Sequence, residues 1–529
     1  MASSLQPKVL EIGPIETSRA NMSTNMSGSI VAISNSRSFA NLMRWSSEID
    51  EVLLDSAVLE TPYRKSNNGS FCQSNRRVLG ITGIVAITYF FGCGGPLGSE
   101  PIISSSGPII GLPAMVLYPL LVTVPYAYIV AELCSAFPED GGFTVWVHNA
   151  FGKFWGFQVG YWSWISGVFN TALLPGFMLE ILREHYGVSF GPGAAEYFVK
   201  VILAMALSMP SVIGTRAVAR TCIVLLVLVL VPVVVFAVWA YSRSRDWGDL
   251  LEVRRETNVI HAEMGDDEQI GNVKIDWALL LNTLFWAFDG INMASVFGGE
   301  VANPARVFSR AIGLTVLLTM ATYIVPMPGA ILADDPNWTY FTRDSYPALA
   351  SAIGGPFLKA VFVASSVFSI AGLFISGIFC KAIQVAGMAE GELVPSLFAV
   401  RNLRFDSPHV AIFVTAGATI ALLGVDFDDL LPMANAFAGT VQLLIILAVI
   451  HLRKTLPYIP RPTKVPGGVR TLCVVAVLPA IALCYIIFDA FSSLVSAVII
   501  FAFVLPGLGY GAYEKRHSAT FSPREASWR

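Results

Sequence analysis

The chain has 529 residues, of which 54% are hydrophobic and only 13% are charged, and its mean hydropathy is +0.63. Since about a quarter of the residues in an ordinary soluble domain are charged, this composition excludes a soluble protein and indicates a polytopic membrane protein. The formal net charge of −3 favours no particular partner, and we expect no nucleic-acid binding. Seven cysteines lie scattered without a metal-binding spacing. We therefore expect buried thiols, no metal site and no cofactor.

The first 76 residues are polar and rich in Ser and Asn. This composition predicts a largely disordered N-terminal tail over residues 1–76. We also consider a short regulatory helix near Glu48 to Leu59 within it. The first residues contain no apolar core, so we expect no cleaved signal peptide.

Apolar runs of about 20 residues, the length that crosses the hydrocarbon core of a bilayer, follow one another after the tail. They predict an all-α transmembrane domain over 77–513 and a C-terminal tail over 514–529. Residues 137–154 are amphipathic and predict a helix at the membrane interface. Twelve spans are predicted, at 79–105, 109–135, 154–182, 195–213, 217–241, 276–300, 309–332, 356–382, 408–424, 427–451, 470–489 and 492–513.

The distribution of Lys and Arg predicts the orientation, because cytoplasmic loops carry the excess of these residues. With the N-terminus inside, both tails are cytoplasmic and the protein is a multi-pass protein of the cell membrane. The longest outer loop, 242–275, is mildly acidic, and Asn337 is a glycosylation acceptor on the outer face. The bases assigned to the cytoplasmic face include Arg216, Arg306, Arg310, Lys381, Arg401, Arg404, Arg453, Lys454 and Arg461.

Predicted span 6 contains a lone acid, Asp289, followed by small residues in the sequence WAFDGINMASVFGGEVANP. A carboxylate near the bilayer centre is costly and usually marks a functional site. Irregular backbone at that depth is tolerated where it lines a cavity. The stretch therefore predicts a broken helix that carries a substrate site.

Predicted span 1 contains a second break, GCGGPLG, at Gly92 to Gly98. Four glycines and a proline in seven residues exceed what a simple kink needs, since glycine permits unwinding and Pro96 removes a donor. Interruptions at corresponding places in two halves are typical of inverted-repeat transporters, with the substrate site between them. We therefore expect both breaks near mid-membrane.

The chain resembles the amino acid–polyamine–organocation superfamily over nearly all of residues 77–515. The motifs that carry the resemblance are GCGGPLGSE, the segment from AELCSAFPEDGG to FQVGYWSW, FDGINMASVFGGEVANPARVFSRA, AGMAEGELVPSLFA and LRKTLPYIPRPTKVPGG. Within the superfamily it is similar to the polyamine uptake transporters of plants and protozoa. The resemblance implies twelve helices, as two inverted five-helix repeats with helices 1 and 6 broken plus two C-terminal helices, and transport by alternating access.

The chain departs from the plant polyamine members at three places. Where those proteins carry further intramembrane acids, this sequence has Phe91, Asn170 and Ile445. Bacterial amino acid permeases of the superfamily often carry a lysine in span 5 that substitutes for sodium, and Ala219 occupies that place here. The substrate therefore stays open between polyamines and amino acids, and the coupling ion between a proton and sodium.

The candidate substrate-binding residues lie at the two breaks and in span 3. Asp289 would bind a substrate ammonium, the alternative being a helix cap, and aromatic rings of Trp286, Phe288 and Trp164 would face that ammonium. By resemblance, Trp286 matches the aromatic gate of arginine-type members and Asn292 a polar contact. Asn170 would complete the site or join two helices. The expected backbone ligands are Gly92, Cys93, Gly94 and Gly95.

Two further acids, Glu132 and Glu300, fall at the predicted cytoplasmic ends of spans 2 and 6. We consider that they pair with Arg216, Arg306 or Arg310 as an inner gate, the alternative being an ordinary structural role.

The leading functional hypothesis is a cation-coupled symporter that imports polyamines of the putrescine and spermidine class. The alternatives are a permease for cationic or neutral amino acids and a membrane nutrient receptor that does not transport. The six histidines are isolated and no nucleophile motif stands near a base. We therefore expect no catalytic residues and no enzyme.

Overall fold

The computed structural model describes residues 79–188, 191, 193–243, 247–255, 272–333, 335–402, 404–424 and 427–520. The predicted N-terminal tail, with the helix considered near Glu48 to Leu59, lies outside these residues. The described chain consists of helices and contains no strand, only isolated bridges. The prediction of an all-α protein is therefore confirmed for the described part.

Sixteen α-helices follow one another in the described residues. The first half contains α1 Ile81–Gly92, α2 Pro101–Ser106, α3 Pro108–Tyr118, α4 Val124–Ala136, α5 Phe143–Phe151, α6 Lys153–Tyr186, α7 Ala194–Ile213 and α8 Thr215–Arg243. The second half contains α9 Trp277–Phe288, α10 Pro304–Ile324, α11 Pro326–Ile331, α12 Tyr346–Glu390, α13 His409–Ala421, α14 Phe427–Thr455, α15 Val469–Asp489 and α16 Leu494–Thr520. A π-helical turn, Pro119–Thr123, joins α3 to α4.

Ten of the helical segments in the described chain are long and apolar enough to cross a membrane. Two shorter apolar helices, α1 and α13, occupy the other two predicted spans. The protein is therefore a multi-pass membrane protein, as predicted, while the total of twelve spans and the inverted repeats stay predictions. The amphipathic segment 137–154 contains the short helix α5, and α16 continues past the predicted boundary at 513 to Thr520.

The centre of the helical bundle is formed by α6 and α12. Most residues in the apolar stretch of each of these helices are buried, whereas most of those in α7, α15 and α16 are not. Helix α12 packs against α6 and α8, and α14 packs against α6 and α15. At one face, Lys153 at the start of α6 pairs with Glu392 just after α12. This face is the predicted cytoplasmic face. Helix α6 begins at it and α12 ends at it, so the two helices are antiparallel.

The cysteines of the described chain are free thiols, and Cys72 lies outside it. Cys93, Cys134, Cys222 and Cys380 are buried, as predicted. The prediction of burial is wrong for Cys473 and Cys484, which are exposed on α15, one of the peripheral helices.

Candidate substrate site

Both predicted breaks are present, and they contact each other. Helix α1 ends at Gly92, and α9 ends at Phe288, after which Asp289 has extended backbone and Gly290 has a φ of 93°. A Cβ placed on Gly92 would overlap the carbonyl oxygen of Asp289, and one on Gly290 would come within 3.0 Å of the Gly92 Cα. Glycine at these two positions therefore permits the close approach of the two unwound segments.

The segment after Asp289 does not return to an α-helix. It forms short 3₁₀ turns, Ile291–Val296 and Gly298–Glu300, and then pairs with the start of α1 through Leu79 N–H and the Glu300 carbonyl at 2.9 Å. On its other side, the Gly141 N–H donates to the Val296 carbonyl at 2.9 Å. These bonds satisfy backbone groups that the missing helix leaves without partners, as irregular backbone inside a membrane requires.

A small cavity lies where the two breaks meet α6 and α12. Its volume is about 50 Å³, room for roughly four water molecules. Its polar lining comes mainly from Asp289, Asn170 and Thr171, and its aromatic lining from Phe91 and Trp286. The remaining walls are Gly92, Gly167, Leu173, Leu174, Leu373 and Gly377.

Asp289 is the one carboxylate among the residues that line this cavity. Its Oδ1 accepts a hydrogen bond from Gln442 Nε2, which α14 supplies. The amide thus orients the carboxylate without neutralising its charge. Sequence reasoning missed Gln442, and its signal was an amide near the start of the apolar run VQLLIILAVI.

Asn170 offers a second oxygen at the cavity. Its Oδ1 is buried and has no hydrogen-bond partner within the described chain. An unpaired buried carbonyl oxygen is costly, so a substrate donor would stabilise it. The alternative, that Asn170 joins two helices, has no support from this oxygen.

Trp286 connects the cavity to the C-terminal end of the first break. Gly98 has a φ of 80°, and a Cβ there would lie 2.6 Å from Trp286 Cζ3. The ring therefore packs directly on Gly98 while lining the cavity, at a position where it can cover a substrate.

Lys381 lies behind the cavity wall, and this corrects its assignment to the cytoplasmic face. The residue is only 3% exposed. Its Nζ donates to Ser163 Oγ at 2.7 Å and lies 5.2 Å from the centre of the Phe91 ring. Its methylene groups cover Gly167, where no Cβ would fit. The predicted span ended at 382, but α12 continues to Glu390, so the lysine is inside the bundle.

Comparison with known proteins places the chain in a family. The family described as "Amino acid permease" matches residues 79–510. The chain belongs to the amino acid permease family. This family lies within the amino acid–polyamine–organocation superfamily, so the resemblance noted from the motifs is confirmed and the protein is a membrane transporter.

Several curated permeases are similar to this one over most of its length. A probable polyamine transporter of Arabidopsis thaliana is 32% identical over 74% of this chain and 78% of its own. A polyamine transporter of Oryza sativa subsp. japonica is 31% identical over 82% and 78%, respectively. A branched-chain amino acid permease of Bacillus subtilis is 23% identical over 83% and 92%.

The permease cavity is lined by four of the ten candidate residues: Asp289, Trp286, Asn170 and Gly92. The breaks and α6 place the other six elsewhere. Phe288 packs between Tyr118 and Tyr323, with ring centres 6.3 and 5.4 Å away. Trp164 donates to Thr415 Oγ1 at 3.1 Å and joins α6 to α13. Asn292 is buried in the first 3₁₀ turn, outside the lining.

The expected backbone ligands after Gly92 face α12 instead of the cavity. The carbonyl of Gly94 accepts a hydrogen bond from Ser369 Oγ, and that of Gly95 accepts one from the Cys93 thiol at 3.6 Å. A Cβ on Gly94 would lie 2.6 Å from Leu373. These residues hold the first break against α12.

The acids considered for an inner gate are paired, but with other arginines than predicted. Glu300 Oε1 accepts from Arg401 Nη1 at 2.8 Å, and Asp140 Oδ2 accepts from Arg401 Nη2 at 3.2 Å. Burial raises the pKa of Glu300 to about 7, and the nearby Asp140 acts in the same direction while Arg401 opposes both. We call Arg401, Asp140 and Glu300 the Arg401 cluster.

Glu132 has a separate set of partners. Arg453 donates through Nε at 2.7 Å to Oε1 and through Nη2 to Oε2, and Arg461 Nε lies 3.3 Å from Oε1. We call Glu132, Arg453 and Arg461 the Glu132 cluster. Together the two clusters join helix ends and loops at the predicted cytoplasmic face, so the expectation of ion pairs there is retained with corrected partners.

Proposed function

We propose that this permease imports amines of the polyamine class, with Asp289 as the partner of the substrate ammonium. The observation that carries the proposal is the position of that carboxylate at the contact of the two broken segments, on the wall of the cavity. A buried charge in a membrane protein is expected to meet an opposite charge. The names of the plant relatives support polyamines as the substrate class.

The rest of the cavity suits an ammonium. Asn170 presents an acceptor oxygen without a partner, and an ammonium has three donors to distribute. The rings of Phe91 and Trp286 line the same space and would attract a cation through their faces. The apolar walls, Leu173, Leu174 and Leu373, suit the methylene chain of an aliphatic amine.

The size of the cavity supports transport by alternating access. Room for roughly four water molecules is less than a diamine of four carbons needs, so the walls must separate when substrate enters. The ion pairs of the Arg401 cluster and the Glu132 cluster lie at the predicted cytoplasmic face, and we infer that they act as the inner gate. We place the protein in the cell membrane with both termini in the cytoplasm and a proton or sodium as the coupling ion.

The second candidate is an amino acid permease. It is favoured by Lys381, a potential partner for a carboxylate near the cavity, and by the similarity to the branched-chain permease. An amino acid would place its ammonium at Asp289 and need an opposite charge for its carboxylate.

Substitution of Asp289 tests the proposal. We expect Asp289→Asn to abolish polyamine uptake into proteoliposomes, because the loss of a buried charge partner weakens binding by about 2–5 kcal/mol, roughly thirtyfold or more. Asp289→Glu should retain partial uptake. The matched control is Asp489→Asn, since Asp489 also accepts from an amide, Asn282 Nδ2 at 2.7 Å, but lies outside the cavity lining.

Competition between labelled putrescine and other amines identifies the substrate class. We expect spermidine to compete more strongly than arginine, lysine or leucine. Strong competition by leucine would contradict the role of Asp289 as a charge partner for polyamines. Binding without accumulation inside the vesicles would instead indicate a receptor.

A further inference from the structure

Lys381 is a buried amine whose nearest acceptors are neutral. Its Nζ donates to Ser163 Oγ at 2.7 Å and lies 3.4 Å from both Gln384 Oε1 and Met293 Sδ. The Phe91 ring covers it from the first break. No carboxylate of the described chain lies within 4.0 Å of the ammonium. In a bilayer interior such a charge is costly without a counter-ion.

Asp289 is the counter-ion available to this charge at the cavity. Gly167 and Phe91, which both contact Lys381, line the same cavity as Asp289. The other titratable group acting on Lys381 is Cys380, its neighbour on α12, which faces Cys222 of α8. The α6 and α1 sides contribute a hydroxyl and an aromatic ring only. Asp289 and a charged Lys381 therefore make the empty site electrically neutral.

The affinity of a neutral site for an amine depends on how many positive charges the amine carries. A monoammonium substrate meets Asp289 and leaves one positive charge in total. A diammonium substrate brings a second positive charge that has no carboxylate of its own in the cavity lining. That charge is also repelled by Lys381. At an effective dielectric constant of about 20, two unit charges several ångström apart change a binding constant by roughly tenfold or more.

We propose that Lys381 is a tethered ammonium that competes with the second positive charge of the substrate. The inference rests on the proposed function, since it takes Asp289 as the ammonium partner. A multiply charged amine then binds tightest when the Lys381 ammonium has released its proton to water, which leaves a neutral amine and removes the repulsion. A monoamine places one positive charge near Lys381 instead of two, so its binding depends less on that proton.

Ligand binding to the full-length purified protein tests the proposal without requiring transport. The probes are butylamine, putrescine and spermidine, with arginine and leucine for comparison, each measured between pH 6 and 8. For the wild-type protein, we expect putrescine affinity to rise with pH by up to roughly tenfold per unit, the limit for release of one proton. Butylamine affinity should change much less, and its profile also reports any protonation of Asp289.

Removal of the lysine charge should abolish the difference. We expect Lys381→Met and Lys381→Gln to bind putrescine roughly tenfold tighter at pH 6, with a flatter pH profile and a smaller gain for butylamine. Gln is the second variant because it retains a polar group beside Ser163. The control is Lys359→Met, on the same helix, where the ammonium lies 5.9 Å from the exposed Tyr186 ring and binding should not change.

Three results would overturn the proposal. Equal pH profiles for putrescine and butylamine in the wild-type protein would do so without any variant. An unchanged ratio of the two affinities in the Lys381 variants would do so as well. Selective loss of arginine and leucine binding would assign Lys381 to a substrate carboxylate. The proposed function fails separately, and the inference with it, if the wild-type protein binds none of the amines.

Discussion

Arg453 and Lys381 are both buried cations, but Arg453 contacts a carboxylate directly and Lys381 does not. Arg453 donates to both oxygens of Glu132 and to the Val465 carbonyl at 2.9 Å. Its side chain is 3% exposed, and Glu132 is completely buried. The charge of Arg453 is therefore neutralised by the adjacent opposite charge of Glu132 on a neighbouring segment, and these contacts hold both side chains in place.

Lys381 is also buried but contacts a hydroxyl, an amide, a thioether and an aromatic ring. Its counter-charge, Asp289, is separated from it and faces the cavity. The difference teaches that local pairing makes a buried charge structural, whereas a separated pair leaves both charges able to respond to a substrate. The predicted cytoplasmic clusters should therefore control stability, and the cavity pair should control binding.

The largest stability effect is expected from Glu132→Gln. Removing one partner of a buried ion pair costs about 3–5 kcal/mol, because the remaining charge is left uncompensated, and here two arginines lose their partner. Unfolding of the detergent-purified protein measures the effect. The control is Glu392→Gln, whose acid is 82% exposed in its pair with Lys153 and should cost less than about 1 kcal/mol. Equal stability of the two variants would contradict the view that the buried Glu132 cluster controls stability.

A smaller loss, about 2–3 kcal/mol, is expected from Arg401→Gln. The arginine joins Asp140 and Glu300, and without it the two acids repel each other. Glu300 can relieve this by taking up a proton, since burial already raises its pKa from 4.5 to about 7. The folded variant then binds more protons than the unfolded chain between these values, so its stability should rise as pH falls from 7 toward 4.5.

Thermal unfolding at several pH values measures this dependence. Glu300→Gln in the Arg401→Gln background is the control, because it removes the titrating group and should flatten the profile. If the single variant became more stable as pH rises, the acids would not be the source of the loss.

The breaks could be predicted from the sequence because their causes are local. Four glycines and a proline between Gly92 and Gly98, and an acid followed by Gly290, cannot continue an apolar helix. The structure confirms both interruptions. Asp289, Trp286, Asn170 and Gly92 line one cavity.

The residues that could not be predicted depend on where helices end and which face they present. The predicted span 356–382 ends beside Lys381 and therefore assigns it to the cytoplasmic face, whereas α12 continues to Glu390. The direction of Phe288 and Trp164 depends on the rotation of each helix against its neighbours. Sequence spacing likewise cannot select Arg453, 321 residues away, as the partner of Glu132.

The smallest expected effect, about 1–2 kcal/mol, comes from Ser163→Ala. Ser163 accepts from Lys381 Nζ and donates to Gln384 Oε1 at 3.1 Å, and Gln384 remains as an acceptor for the lysine. The control is Ser166→Ala on the same helix, which loses a bond to the neutral Ala434 carbonyl at 2.9 Å. The excess loss of stability in Ser163→Ala over Ser166→Ala measures how much charge Lys381 carries, because hydrogen bonds to charged groups are stronger. An excess that disappears as pH rises would indicate that the lysine loses its proton in the folded protein. A loss of stability in Ser163→Ala as large as that in Glu132→Gln would mean that Lys381 is as tightly fixed as Arg453.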